Sequence, residues 1–107
     1  MITPPAPRRG ELWLADLDKR RPVVVLTRDP LGRHLHSVII GPVTSTIRNL
    51  STEVEVGPED GVRKVSVVNL DNVQLLDRHR LVRRIGRVRP ETLRRICDAT
   101  AVAIGCA

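Results

Sequence analysis

Tyrosine and phenylalanine are absent from this chain of 107 residues, and Trp13 is its only aromatic. Proteins that stack bases on a sheet surface or in a barrel groove need several exposed rings. That mode of nucleic-acid binding is nearly excluded. Cysteine is scarce as well: Cys97 and Cys106 stand nine apart, which is neither a metal-ligand spacing nor a disulfide framework, and suits a reducing cytosol. No apolar run approaches the roughly 18 residues of a spanning helix, and the Pro-rich start, residues 1–8, lacks the apolar core of a secretory signal. These absences predict a soluble, cytoplasmic protein with no membrane partner. Clustered carboxylates of the kind a two-metal nuclease requires are also lacking, so neither a metal nor another cofactor is expected.

What the chain does have is positive charge. Sixteen arginines and two lysines against twelve acids give a formal net charge of +6. That balance favours an anionic partner, of which nucleic acid is the commonest. The length predicts one domain, from residue 9 to 107, behind a flexible Pro-rich leader over 1–8.

The hydropathy pattern is mainly β. "GELWLADL" reads as a strand, and the continuous run in "PVVVLTRD" as one covered on both faces. "DPLGRH" has turn chemistry, and "LHSVIIGPVTS" pairs back to make a hairpin. Pro42 cannot donate to a ladder and predicts an edge or a bulge. "TEVEV", the turn "GPEDG" and "VRKVSVVNL" supply two more strands, and a short one is expected over Asn72 to Leu75. "RLVRRIGRV" fits either a strand or a linker. Short strands at about ten-residue spacing predict a small barrel or sandwich. "RPETLRRICDATAVAIG" closes the chain as an amphipathic helix with Leu93, Ile96, Cys97, Thr100, Ala101 and Ile104 inward.

Two constellations could carry chemistry. A hairpin turn centred between Gly32 and Arg33 would set Arg21 opposite Thr44, and opposed residues share a face. A guanidinium and a hydroxyl meeting where two strands end suit the attack of a ribose 2′-hydroxyl on its own phosphate, because negative charge grows on the nonbridging oxygens. The plainer reading is a solvated strand end beside a turn residue. The rival is the pair His34 and His36, which share a strand face and could divide acid and base duties. Isolated His79 reads as structural. Asp71 follows an apolar strand and calls for a partner such as an arginine, or serves to orient substrate. Glu53 and Glu55 read as solvated. The six arginines between Arg78 and Arg89 suit a phosphate-tracking surface or a solvated linker.

Taken in order, "RGELWLADLD", "RRPVVVLTRD", "VIIGPVTSTIRNLSTEVEV" and "SVVNLDNVQLLDRHRLVRRIGRV" resemble the MazF/PemK (Kid) toxins of type II toxin–antitoxin systems, nearly end to end from Arg9. The resemblance implies an SH3-like barrel with a C-terminal helix. It also implies a homodimer that cleaves single-stranded RNA at specific sequences without a metal, leaving 2′,3′-cyclic phosphate and 5′-hydroxyl ends, and is neutralised by a cognate antitoxin. By motif match, the resemblance implies that Arg21 and Thr44 are the catalytic residues and that Ser45, Asn69 and Asp71 contact RNA; Lys19 and Arg20, next to Arg21, are expected to contact it as well. Relatives usually carry a long loop between the first two strands, which "LADLDKRRPV" shortens to about four residues; what that loop contacts does not transfer. Alternative readings are a non-enzymatic gyrase-inhibiting toxin of the same fold, and an RNA-binding domain that lost activity with the loop.

Overall fold

A computed structural model describes residues 6–29 and 36–106. Among these residues seven strands run in chain order: β1 (Glu11–Asp16), β2 (Arg20–Val25), β3 (Ser37–Thr44), β4 (Glu53–Val56), β5 (Ser66–Asn69), β6 (Gln74–Asp77) and β7 (Leu81–Arg87). Helix α1 (Pro90–Ala103) follows. All strand pairs are antiparallel, in the order β4-β5-β3-β2-β1-β7, with β6 also on β3. The expected mainly β architecture with a C-terminal helix is what forms.

β6 and β7 lie at opposite ends of the path β6-β3-β2-β1-β7, yet only Arg78–Arg80, a 3-10 turn, separates them in the chain. The sheet therefore rolls into a small barrel, with Leu76 of β6 and Leu81 of β7 in the same interior cluster although no ladder joins those two strands among the described residues. Its interior is Trp13, Ala15, Val23, Val25, Val38, Ile40, Leu76 and Leu81. Alternate residues of the same strands, Leu12, Val24 and Val43, face outward into a second core with β4, β5 and α1. The valine run of β2 is thus explained: Val23, Val24 and Val25 are each 0% exposed because both faces of the strand are covered.

Pro42 corrects the expectation of an edge. β3 is central, with β2 on one side and, on the other, β6 as far as Ile40 and β5 from Val43 onward. The Leu26 N–H donates to the Ile39 carbonyl, so the alternation of bonded pairs makes Pro42 opposite Val23 a non-bonded pair. Its missing N–H faces the gap between β6 and β5, where no ladder asks for one.

Two strand boundaries differ from the sequence expectation. β5 begins at Ser66 rather than Val62, and β6 is displaced toward Asp77. The cause of the latter is a 3-10 turn over Leu70–Asn72, capped by the Asn69 side chain. On α1 the buried residues are Thr92, Ile96 and Ala99, with Leu93 and Ala103 half-buried against the core. Cys97 is half-buried, and Ile104, expected inward, is 69% exposed beyond the last turn. "RLVRRIGRV" is strand β7, and "GPEDG" folds as a 3-10 turn over Pro58–Asp60 closed by Gly61 at φ 101°. Gly86 of β7 is obligatory at that contact, because a Cβ there would come 2.8 Å from the Asp60 carbonyl oxygen.

Candidate active site

β2 and β3 pair through Val23 with Pro42, Val24 with Gly41 and Val25 with Ile40. Continuing that register to the strand ends sets Arg21 across from Thr44, the relation the sequence predicts, and both side chains line the same two grooves. One groove, of about 790 Å³, opens toward Asp18, Arg48, Glu53, Asn69, Asp71, Asn72 and Gln74. The other, of about 860 Å³, opens toward Lys19, Arg20, Ser45, Arg63, Lys64, Arg83 and Arg84. Arg21, Val43, Thr44 and Thr46 belong to both. The predicted RNA-contacting residues are therefore divided: Lys19, Arg20 and Ser45 on one side of Arg21, Asn69 and Asp71 on the other.

Asp18 organises the guanidinium. Its carboxylate accepts Arg21 Nε–H at 3.2 Å and Nη2–H at 3.4 Å, a fork-to-fork pair within one strand connection. The hydrogen bonds of Arg21, and after them the Lys19 amide, hold the Asp18 carboxyl below its usual range. A guanidinium has five N–H donors, so three remain for a ligand: both on Nη1 and one on Nη2. β1 and β2 are joined by just Leu17, Asp18 and Lys19, and Asp16 pairs with Arg20, so the carboxylate cannot swing far from its partner. Asp18 was not anticipated, although the three-residue spacing from Arg21 across a tight connection is the signal that could have found it.

Thr44 is prepared in a different way. Its Oγ accepts the Thr46 N–H at 3.1 Å, which leaves the hydroxyl hydrogen free to donate to a ligand. The segment that follows is shaped by Glu53, whose Oε1 accepts the backbone N–H of Arg48 at 2.9 Å and of Leu50 at 3.2 Å. Asn49 sits at φ 59° within that turn. Glu53 is accordingly half-buried and structural, not solvated as its strand alternation suggests.

Among the described residues Asp71 pairs with no arginine of the kind the sequence reading calls for; its carboxylate accepts the Thr52 hydroxyl. The Asn69 side-chain Oδ1 accepts the Asp71 N–H at 3.0 Å, so its NH₂ group is the end left to the groove. The histidine rival does not assemble. His34 lies outside the described residues, His36 precedes β3 while Thr44 ends it, about 25 Å away at strand rise, and exposed His79 pairs with Asp77. Trp13 is 6% exposed inside the barrel and donates Nε1–H to Glu11, so it offers no stacking surface. Among the described residues no group of three or more His, Cys, Asp or Glu is placed to hold a metal ion, and no helix is long and apolar enough to cross a membrane.

A small barrel backed by one helix thus presents an arginine and a threonine on neighbouring strand ends between two polar grooves. The chain matches the family described as PemK-like, MazF-like toxin of type II toxin–antitoxin system over residues 8–104, and it belongs to that family. It is 42% identical over 103 residues to the Mycobacterium tuberculosis protein named "Probable endoribonuclease MazF5", covering 94% of each chain. Among solved structures it is similar to the M. tuberculosis toxin MazF-mt6, with a TM-score of 0.87, 36% identity, and 91% of this chain and 98% of that one covered. It is also similar to a mycobacterial endoribonuclease in complex with its cognate antitoxin, with a TM-score of 0.87, 32% identity, and 95% and 98% covered.

Proposed function

We propose that this protein is an endoribonuclease toxin that cuts single-stranded RNA at preferred sequences without a metal ion, acts as a homodimer in the cytoplasm, and is neutralised by a cognate antitoxin. The observation that carries this reading is the placement of Arg21 and Thr44 on the wall common to both grooves. An RNA strand crossing from one groove to the other would bring a phosphate to that wall. The 2′-oxygen forms a bond to phosphorus, the bond to the 5′-oxygen breaks, and the products are a 2′,3′-cyclic phosphate and a 5′-hydroxyl. Net, a proton leaves the 2′-hydroxyl and one arrives on the 5′-oxygen.

Arg21 contributes charge and directed N–H donors to the nonbridging oxygens, where negative charge develops. With a pKa above about 12 it keeps its proton throughout, so its role is electrostatic and not that of a base. Thr44 supplies a second donor on the neighbouring strand. The names of the curated relatives support RNA as the substrate over gyrase.

Purified protein should cut a mixed-sequence single-stranded RNA in EDTA, and Arg21→Ala should lower kcat by about 10²- to 10³-fold, the usual cost of a lost transition-state donor. Undiminished cutting by that variant would remove Arg21 from the chemistry. An acidic antitoxin segment that covers the basic groove should bind more weakly as salt rises; salt-independent binding would point to an apolar interface.

A further inference from the structure

The two grooves that meet at Arg21 are chemically unlike. The larger one is lined by seven cations and no carboxylate. Four of these, Lys19, Arg63, Lys64 and Arg83, are exposed and make no ion pair among the described residues. Its banks cannot drift apart, because Gly61 and Gly86 pack backbone to backbone beneath it, with a would-be Gly86 Cβ 3.1 Å from the Gly61 Cα. Arg63 and Lys64 stand just after Gly61, and Arg83 and Arg84 lie in the strand that contains Gly86.

The smaller groove has two arginines against three carboxylates, together with the amides of Asn69, Asn72 and Gln74. A phosphate chain gains little there. Base edges gain more: the Asn69 NH₂ is left as a donor by its cap to Asp71, and Asp71 keeps one carboxylate oxygen beyond its bond to Thr52. With the sole aromatic buried, bases must be read by hydrogen bonds to their edges.

Resting on the endoribonuclease reading, we propose that the RNA is handled asymmetrically about the scissile phosphate. The Arg63, Lys64 and Arg83 groove grips backbone phosphates without regard to sequence, and the Asn69, Asn72 and Gln74 groove reads bases. The preferred cut sequence then extends to one side of the cut only, and the other side needs length and charge alone.

A randomised single-stranded RNA pool, cut in EDTA at several salt concentrations with the ends sequenced, tests this. The parent protein should show base preference on one side of the cut. Arg63→Ser combined with Lys64→Ser should raise KM about tenfold, with the order of preferred sites as in the parent. It should also reduce the slope of log KM against log salt by about 1.4, since each single-strand phosphate contact contributes about 0.7. Asn72→Ala and Gln74→Ala should flatten the preference at one or two positions. Equal preference on both sides of the cut overturns the proposal, as does an altered motif in the Arg63/Lys64 variant. So does an unchanged KM with weakened antitoxin binding, which would assign the basic groove to the antitoxin. If the parent cuts nothing, the endoribonuclease reading fails by itself. Selection of bound RNA from the same pool then judges the grooves separately: enrichment at base positions lost with Asn72→Ala, and a salt slope lost with Arg63→Ser and Lys64→Ser, uphold the division of roles, and their absence ends it.

Discussion

Replacing Glu11 with glutamine perturbs a buried carboxylate on which three donors converge. Glu11 is 4% exposed and accepts the Arg8 N–H at 2.7 Å, Arg84 Nη1–H at 2.9 Å and Trp13 Nε1–H at 3.2 Å. Burial alone would raise its pKa, but the Arg8 amide, Arg84 and Trp13 together outweigh burial and hold it below the ordinary value. Arg84 is 64% exposed, so its ion pair contributes at most about 1 kcal/mol. The larger share lies in the two N–H groups bonded to a charged acceptor, at about 1.5–3 kcal/mol for such a bond. Glutamine keeps one carbonyl acceptor, so Glu11→Gln should cost about 2 kcal/mol at pH 7, and Glu11→Leu, which leaves both N–H groups unpaired, about 3–4 kcal/mol. Urea unfolding followed by Trp13 emission reads this directly, since there is no other tryptophan. The sign with pH follows from the depressed pKa. The contribution is complete above the unfolded glutamate value of about 4.3 and is lost as pH falls through the folded value. The gap between parent and Glu11→Gln should therefore be flat from about pH 7 to about pH 5 and close below about pH 4. Equal midpoints at pH 7, or a gap that widens on acidification, would refute the reasoning.

Asp18→Asn should lower kcat about tenfold, the cost of a slackened fork, and Arg21→Lys should lose more because an ammonium has no planar fork to grip Asp18 through two N–H groups while presenting others to phosphate; single-turnover cleavage of a defined RNA separates the two effects from binding, and an Asp18→Asn enzyme with parental kcat would deny the carboxylate a positioning role. Gly86→Ala should destabilise the protein by about 1–3 kcal/mol in the same urea assay, because the new methyl meets backbone at Asp60 and Gly61 and not a side chain that can move. An unchanged midpoint would mean that the turn shifts freely.

The register of β2 and β3 agrees with a turn centred in the sequence between Gly32 and Arg33, which lie outside the described residues, and a slip of one residue would carry Arg21 and Thr44 to opposite faces. Strand identity failed where side chains override the pattern. The Asn69 cap diverts Leu70–Asn72 from extended backbone and delays β6, and an alternating "TEVEV" cannot reveal that Glu53 turns back to hold two amides of the preceding loop. Pro42 misled because a central strand can change neighbours along its length, which no local signal records. At the site, Arg21 and Thr44 emerged from pairing arithmetic and motif order. Asp18 did not, since an acid in a turn has a solvated role in most proteins. The division of the basic residues between two grooves also depends on β7 returning beside β1, a contact across nearly the whole chain.

That last contact has a consequence for the newly made protein. Glu11 pairs with Arg87, so β1 lacks one neighbour until Arg87 has been made and has emerged from the ribosome. Arg83 and Arg84 are the last of the basic groove's cations to be made. A nascent chain carries Arg21 and Thr44 early, but without a rigid cradle around them, and loop closure over that span is slow. Such a chain holds its two candidate catalytic residues before the groove that would present a phosphate to them exists.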